Sequence, residues 1–360
     1  MRTPALLLAA LVAGLAAAPA ARGADVVGIA DQSAAMFASP HFQRLDVQVS
    51  RLIVSYDAVM RGTFEVAEID TWMAAARRAH VQPLVSFNHS RGCYDGHGVV
   101  RRKACRLPSV KRYRRAFGFF RRRYPRVSVY SPWNEINHVS QPTARRPKRA
   151  AQFYNVVRKN CRGCTIVAAD VLDQRGVGRY LRRFRRHAKG RPRLWGLHNY
   201  RDTNHGTRKG TRAILRAVKG KVWLTETGGI VAFGRSLPYD PRRAARAERH
   251  MFRLARSSRR ITRLYIYNWF GVPRTERFDS GLVDPLGEPR PAYRVVHRHL
   301  ARPGGNPEPP PSDAPPPPPG PPPPEPPPPP PGGGDPPPPD EPAACEILPV
   351  ACPLAGLGLG

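Results

Sequence analysis

Residues 127–160 open with the short run Val127-Ser128-Val129-Tyr130, exit through Ser131-Pro132-Trp133-Asn134-Glu135-Ile136-Asn137, and continue into an amphipathic stretch at 148–160. The opening run carries the β-branched and aromatic residues of a strand, and the closing stretch has the spacing of a helix. Together they read as one β-α unit, a strand returned to a parallel neighbour by a helix. The same unit recurs on both sides. Strand-like runs lie at 26–30, 51–56, 83–87, 127–130, 165–169, 194–198, 222–225 and 263–268, and helical stretches at 65–80, 109–124, 148–160, 180–189, 208–219, 242–257 and 292–301. Eight β-α units in roughly 280 residues predict an α/β fold of the (β/α)8 TIM-barrel type, spanning residues 25–303. The competing doubly wound open sheet lacks its glycine-rich phosphate turn after the first run.

A barrel of this kind places its chemistry at the C-terminal ends of the strands. Those ends are polar here. The third run exits in Asn88-His89, the fourth in Trp133-Asn134-Glu135, the sixth in His198-Asn199-Tyr200, the seventh in Glu226 and the eighth in Asn268-Trp269. A barrel core requires none of these. Strands four and seven face each other across the mouth, so Glu135 and Glu226 can converge on one ligand. Two carboxylates flanking a sugar are the apparatus of glycoside hydrolysis: one donates a proton while the other stabilises the developing cation. Trp133, Tyr200, Trp269 and Phe270 are candidates to stack on sugar faces, and His89 and His205 to bind hydroxyls. Trp195 and Trp223, within or before strands, are expected in the core.

These residues resemble those of clan A glycoside hydrolases, the group that includes families 5 and 39. Ser131-Pro132-Trp133-Asn134-Glu135-Ile136-Asn137 is similar to the clan's fourth-strand Asn-Glu signature, departing from many members in carrying Ile136 where they carry proline. Trp223-Leu224-Thr225-Glu226-Thr227-Gly228 resembles its seventh-strand nucleophile segment. The resemblance implies that Glu135 is the acid/base, Glu226 the nucleophile, and Asn134 a partner of the sugar 2-hydroxyl. His198-Asn199-Tyr200 is similar to the clan's His-x-Tyr, whose tyrosine holds the nucleophile. It further implies that Trp269 floors the sugar site and that Arg51 keeps the nucleophile ionised. The segment Phe278-Asp279-Ser280-Gly281-Leu282-Val283-Asp284 matches a common exit sequence of such enzymes. Asn88 and His89 complete the expected substrate-binding set. In this chemistry the apolar wall around Glu135, Trp133 included, should raise its pKa, and the carboxyl groups should lie about 5–5.5 Å apart.

The two ends of the chain read differently from its middle. Residues 1–24 carry Arg2, an apolar run at 5–18 and the small-residue site Ala18-Pro19-Ala20, the pattern of a secretory signal peptide. The alternative of a membrane anchor meets a run too short to span about 30 Å of hydrocarbon. Of the 43 prolines, 26 fall beyond residue 303. Residues 304–343 therefore read as a disordered Pro/Gly-rich stalk, with too few apolar side chains to offset the entropy of ordering. Residues 344–360 form a short closing segment. Export favours disulfides, and the six cysteines fall into the local pairs Cys93–Cys105, Cys161–Cys164 and Cys345–Cys352. A redox role for Cys161-x-x-Cys164 and a zinc site from the first four cysteines are the alternatives. The Cys93–Cys105 bridge would staple a loop overhanging the pocket.

All 59 basic residues precede residue 304, against 19 acids there, so residues 1–303 carry a formal charge of +40. Most of the arginines fall on outer helical faces. A charge of that size attracts polyanions, including anionic cell-wall polymers. A nucleic-acid reader is disfavoured, since no binding module is present. No metal cluster and no cofactor motif is found, and a monomer is expected. A non-catalytic barrel that binds glycan or polyanion is the remaining alternative, although it would gain nothing from two buried acids.

Overall fold

The β-branched runs pair side by side as parallel staves. A computed structural model describes residues 26–93 and 104–301. The strands are β1 (Val26–Ala30), β2 (Val49–Ser55), β3 (Gln82–Asn88), β4 (Val129–Ser131), β5 (Thr165–Ile166), β6 (Asp170–Leu172), β7 (Leu194–His198), β8 (Lys221–Thr227), β9 (Ala232–Phe233), β10 (Ile261–Tyr267) and β11 (Phe278–Asp279). Nine of them form one sheet in the order β5-β4-β3-β2-β1-β10-β8-β7-β6. Its two ends, β5 and β6, are successive pieces of a single segment. Between them Val167 N donates to Tyr130 O next to β5, and Ala168 N donates to Leu194 O next to β6. The fifth stave thus pairs with the fourth through its first half and with the sixth through its second, and the sheet closes into an eight-staved barrel. β9 and β11 form a separate antiparallel pair over the mouth-side loops.

Alternation along each stave divides the apolar residues into two layers. On β2, β3 and β4, Leu52, Val54, Val85, Phe87 and Tyr130 join the cluster under the helices. Val49, Leu84, Val129, Val167, Trp223 and Tyr265 fill the barrel interior. Trp195 and Trp223 are buried as expected. The seven long helical stretches all form, among them Glu65–Arg78, Val110–Arg123 and Pro241–Arg256. Val110–Arg123 buries Tyr113, Ala116, Phe117 and Phe120 and keeps its arginine-rich face outward. Ser109 caps it by accepting from Arg112 N, and Asp240 caps Pro241–Arg256 in the same way. No helix among the described residues is long and apolar enough to cross a membrane.

Cys93 is disulfide-bonded to Cys105 and Cys161 to Cys164, with Cα separations of 4.5 and 5.6 Å. Paired two by two in this way, the four sulfurs do not gather into a zinc site. The leader at 1–24, the stalk at 304–343, the segment at 344–360 with Cys345–Cys352, and most of the stapled loop lie outside the described residues.

Candidate active site

The interior changes character halfway up. Above the apolar layer lie Arg51 of β2, Ser86 of β3, Asp170 of β6 and Thr225 of β8, all fully buried. Arg51 organises them. Its Nη1 donates to Glu226 Oε2 at 2.7 Å, and its Nη2 donates to Asn134 Oδ1 at 2.6 Å and lies 3.5 Å from Asp170 Oδ2. Asp170 also accepts from Ser86 Oγ and Thr225 Oγ1. Gly196 on the neighbouring stave leaves room for this, since a Cβ there would stand 1.8 Å from Asp170 Oδ1. A buried guanidinium needs such matched acceptors, because an unpaired charge in the interior costs several kcal/mol.

Simple alternation would point Glu226 outward with Val222 and Leu224, towards the helices. A bulge corrects this. Between β7 and β8 the register runs from Gly196↔Trp223 to His198↔Glu226, two residues against three, and β10 shows the same extra residue between Leu264↔Leu224 and Ile266↔Thr227. The additional residue turns Glu226 into the barrel, a common use of bulges beside functional groups. There its Oε1 accepts from the Tyr200 hydroxyl at 3.0 Å.

Glu135 is aimed by a different device. It sits in the left-handed region at φ 43°, a conformation that costs a non-glycine residue energy and persists only when its surroundings enforce it. The enforcement is visible on both sides. Asn134 N donates to Phe87 O on β3, and Ile136 N donates to Asp170 O on β6. His198 Nδ1 lies 3.1 Å from Glu135 Oε1 and 3.7 Å from Glu226 Oε2. Because Arg51 can only donate, its 3.4 Å contact makes His198 Nε2 the acceptor and puts the ring proton on Nδ1, facing Glu135. Burial, then Arg51 and His138, hold the His198 pKa well below its ordinary value, so the ring is neutral.

The two carboxylates differ in their surroundings. Glu135 is 1% exposed, and among the described residues its Oε2 has no hydrogen-bond partner. Burial first, and the charge of Glu226 second, push its pKa well above the ordinary carboxylate range. Burial also raises that of Glu226, but Arg51 and the Tyr200 hydroxyl oppose it directly. The pair is thus arranged to share one proton, held on Glu135. One donor atom each from Glu135, His198 and Glu226 lies within 4.8 Å of the others, a spacing that could surround a cation. The guanidinium already occupies the Glu226 end and His198 presents a proton rather than a lone pair, so the set suits proton handling better than metal ligation.

Arg51, Asn134, Glu135, His198, Tyr200 and Glu226 are therefore brought together. Asn88 and His89 lie to one side, buried along a neighbouring cavity. Two aromatic expectations are corrected. Trp133 is in the core: it stacks on Phe153 at 5.0 Å and donates its indole N–H to Gln141 Oε1, so it offers no face to a sugar. Trp269 is fully buried against Phe42 and Tyr293. Asp31 accepts from both Trp269 N and Phe270 N, which fixes the backbone turn and sends the indole into the helical layer. The eighth-stave aromatic on the inner face is Tyr267, which stacks on Phe278. Phe278 in turn meets Tyr200 edge-on. His205 is exposed at the end of the helix Tyr200–His205, away from the cluster.

Sequence reasoning missed Asp170, Ser86, His138 and Tyr267. Asp170 directly follows the fifth predicted strand, the same signal that singled out the other stave ends.

No protein-family model matches the chain, and no curated protein matches it. Solved structures do. A family 39 glycoside hydrolase from the gut symbiont Bacteroides cellulosilyticus WH2 superposes with a TM-score of 0.50 at 13% identity over 78% of this chain, which spans 64% of that protein's length. GH5_18 from Streptomyces cattleya, in complex with GlcNAc, gives 0.54 at 15% identity over 77% of this chain and 80% of that one. A GH10 endoxylanase from a sugarcane soil metagenome gives 0.53 at 12% identity over 76% and 96%. The chain shares the TIM-barrel fold of these glycoside hydrolases.

Proposed function

We propose that the protein is a glycoside hydrolase that cleaves poly- or oligosaccharide by double displacement, with Glu226 as nucleophile and Glu135 as acid/base. One observation carries this reading: two buried carboxylates within 4.8 Å of each other, one ion-paired to Arg51 and the other not. Such closeness suits a retaining enzyme, since inversion needs about 6.5–9.5 Å to admit a water between the groups.

In the first step Glu226 attacks the anomeric carbon, the glycosidic C–O bond breaks, and the Glu135 proton passes to the leaving oxygen. The covalent ester consumes the charge on Glu226, which removes the repulsion that, after burial, most favours a protonated Glu135. Glu135 then takes a proton from water, whose oxygen attacks the same carbon and releases Glu226. Tyr200 and Arg51 hold the nucleophile in place. Asn134 spends its Oδ1 on Arg51, so its amide N–H₂ faces the sugar 2-hydroxyl.

Export, with a stalk at 304–343 acting as a spacer and the basic outer helices attracting anionic wall polymers, completes the reading. Proton NMR of a freshly started hydrolysis tests the mechanism. The anomer released first should have the configuration of the substrate, and the inverted anomer appearing first would overturn double displacement.

A further inference from the structure

Three carboxylates and one guanidinium share the upper interior: Glu135, Glu226, Asp170 and Arg51, each less than one-tenth exposed. Double displacement uses the two glutamates and gives Asp170 no step. Its surroundings are nevertheless built in detail. Oδ1 accepts from Thr225 Oγ1 at 2.7 Å, Oδ2 accepts from Ser86 Oγ at 3.1 Å, and Oδ2 lies 3.5 Å from Arg51 Nη2. Ser86 Oγ also accepts from Arg51 Nη2 at 3.3 Å, which bridges the guanidinium to the carboxylate. The sequence reserves the space, since Gly196 stands opposite Asp170 in the β6–β7 register and a side chain there would strike the carboxylate.

The same residue reaches the acid through its backbone. Asp170 O accepts from Ile136 N at 2.9 Å, and two residues further along β6 Leu172 exchanges a pair of hydrogen bonds with the Asn137 side chain. Glu135 is thus held in its left-handed conformation from β6, while Arg51, which binds Glu226 and Asn134, is anchored by the Asp170 side chain. We infer that Asp170 is a positioning residue of the reaction: it divides the Arg51 guanidinium between two anions and so couples the nucleophile to the acid. A guanidinium with two anionic neighbours neutralises each less than it would a single one. The charged and titratable groups that face Glu135 are Glu226 of β8, Arg51 of β2, Asp170 of β6, His198 of β7, Tyr200 of the helix after β7, and His138 of its own loop. Asp170 itself faces Arg51 and, from β10, Tyr265. After burial and Glu226, and against Arg51, the charge of Asp170 raises the Glu135 pKa. It adds to burial in raising that of Glu226, against Arg51 and Tyr200. The inference rests on the glycosidase reading and deepens it.

The test uses Asp170→Asn, whose amide oxygen can face Ser86 and Arg51 while its N–H₂ donates to Thr225 Oγ1, and Asp170→Ser, smaller and equally uncharged. Loss of a negative charge lowers the pKa of both glutamates. The acid limb of kcat/KM follows ionisation of Glu226 and the alkaline limb follows Glu135, so with an aryl β-glycoside both limbs should move to lower pH, by about one pH unit. A merely structural role would lower activity and the thermal midpoint and leave the limbs in place. Carbon-13 NMR of protein labelled at the glutamate Cδ, assigned with Glu135→Gln and Glu226→Gln, follows the same ionisations without substrate. The Glu135 carboxyl should titrate at lower pH in both Asp170 variants than in the parent. Titration at the parental pH, or at a higher one, in either folded variant would overturn the inference and leave the hydrolase standing. A parent that cleaves no glycoside would take down the glycosidase reading and the role of Asp170 with it.

Discussion

Replacing Glu226 by glutamine is expected to lower kcat about 10⁴-fold or more on every substrate the enzyme accepts. The amide is nearly isosteric and can offer its one oxygen to Arg51 while its N–H₂ donates to the Tyr200 hydroxyl oxygen, so the barrel should fold. It cannot form the glycosyl ester at a useful rate. Because Arg51 retains Asp170 and Asn134 as acceptors, the stability cost should be small against the loss of turnover. Sugar release from plant and microbial wall polysaccharides and from aryl β-glycosides, compared between parent and variant, checks this. A variant with more than a few per cent of parental activity would remove Glu226 from the chemistry.

The second large effect depends on the leaving group. Glu135→Gln removes the proton donor but leaves the nucleophile intact. Cleavage of an unactivated alkyl glycoside should fall by about 10²–10⁴-fold, the usual contribution of a general acid. A dinitrophenyl glycoside needs no protonation, so its first step should be largely spared and should appear as a burst followed by slow deglycosylation. The pH profile should change with it. Glu135 acts in its protonated form and its pKa is raised, so parental kcat/KM holds on the acid side of that value and falls as pH rises through it. The alkaline fall should vanish in the variant with the activated substrate. Equal losses on both substrates would show that Glu135 is not the acid.

The barrel was legible because each stave announces itself by composition and five of the eight exit in polar residues. The run at 26–30 and the run at 194–198 coincide with β1 and β7. What composition could not show was how the fifth segment splits between two neighbours, or the bulge that turns Glu226 inward, since both depend on pairing partners distant in sequence. Glu135 and Glu226 were legible as stave-end carboxylates. Trp133 and Trp269 misled for a physical reason: an aromatic at a stave end can face either layer, and backbone bonds to Asp31 decide it for Trp269. Asp170 follows the fifth predicted strand with the same polar-exit signal, and only the structure brings it beneath Arg51.

The central claim is that Glu226 becomes covalently bonded to the sugar. Incubation with an activated 2-deoxy-2-fluoro glycoside of an accepted sugar slows both steps, the second more, and should let the ester accumulate. Intact mass spectrometry should show one added glycosyl unit, and peptide fragmentation should place it on Glu226. No adduct on an enzyme that turns over the parent sugar, or an adduct on Glu135 or Asp170, would contradict the account.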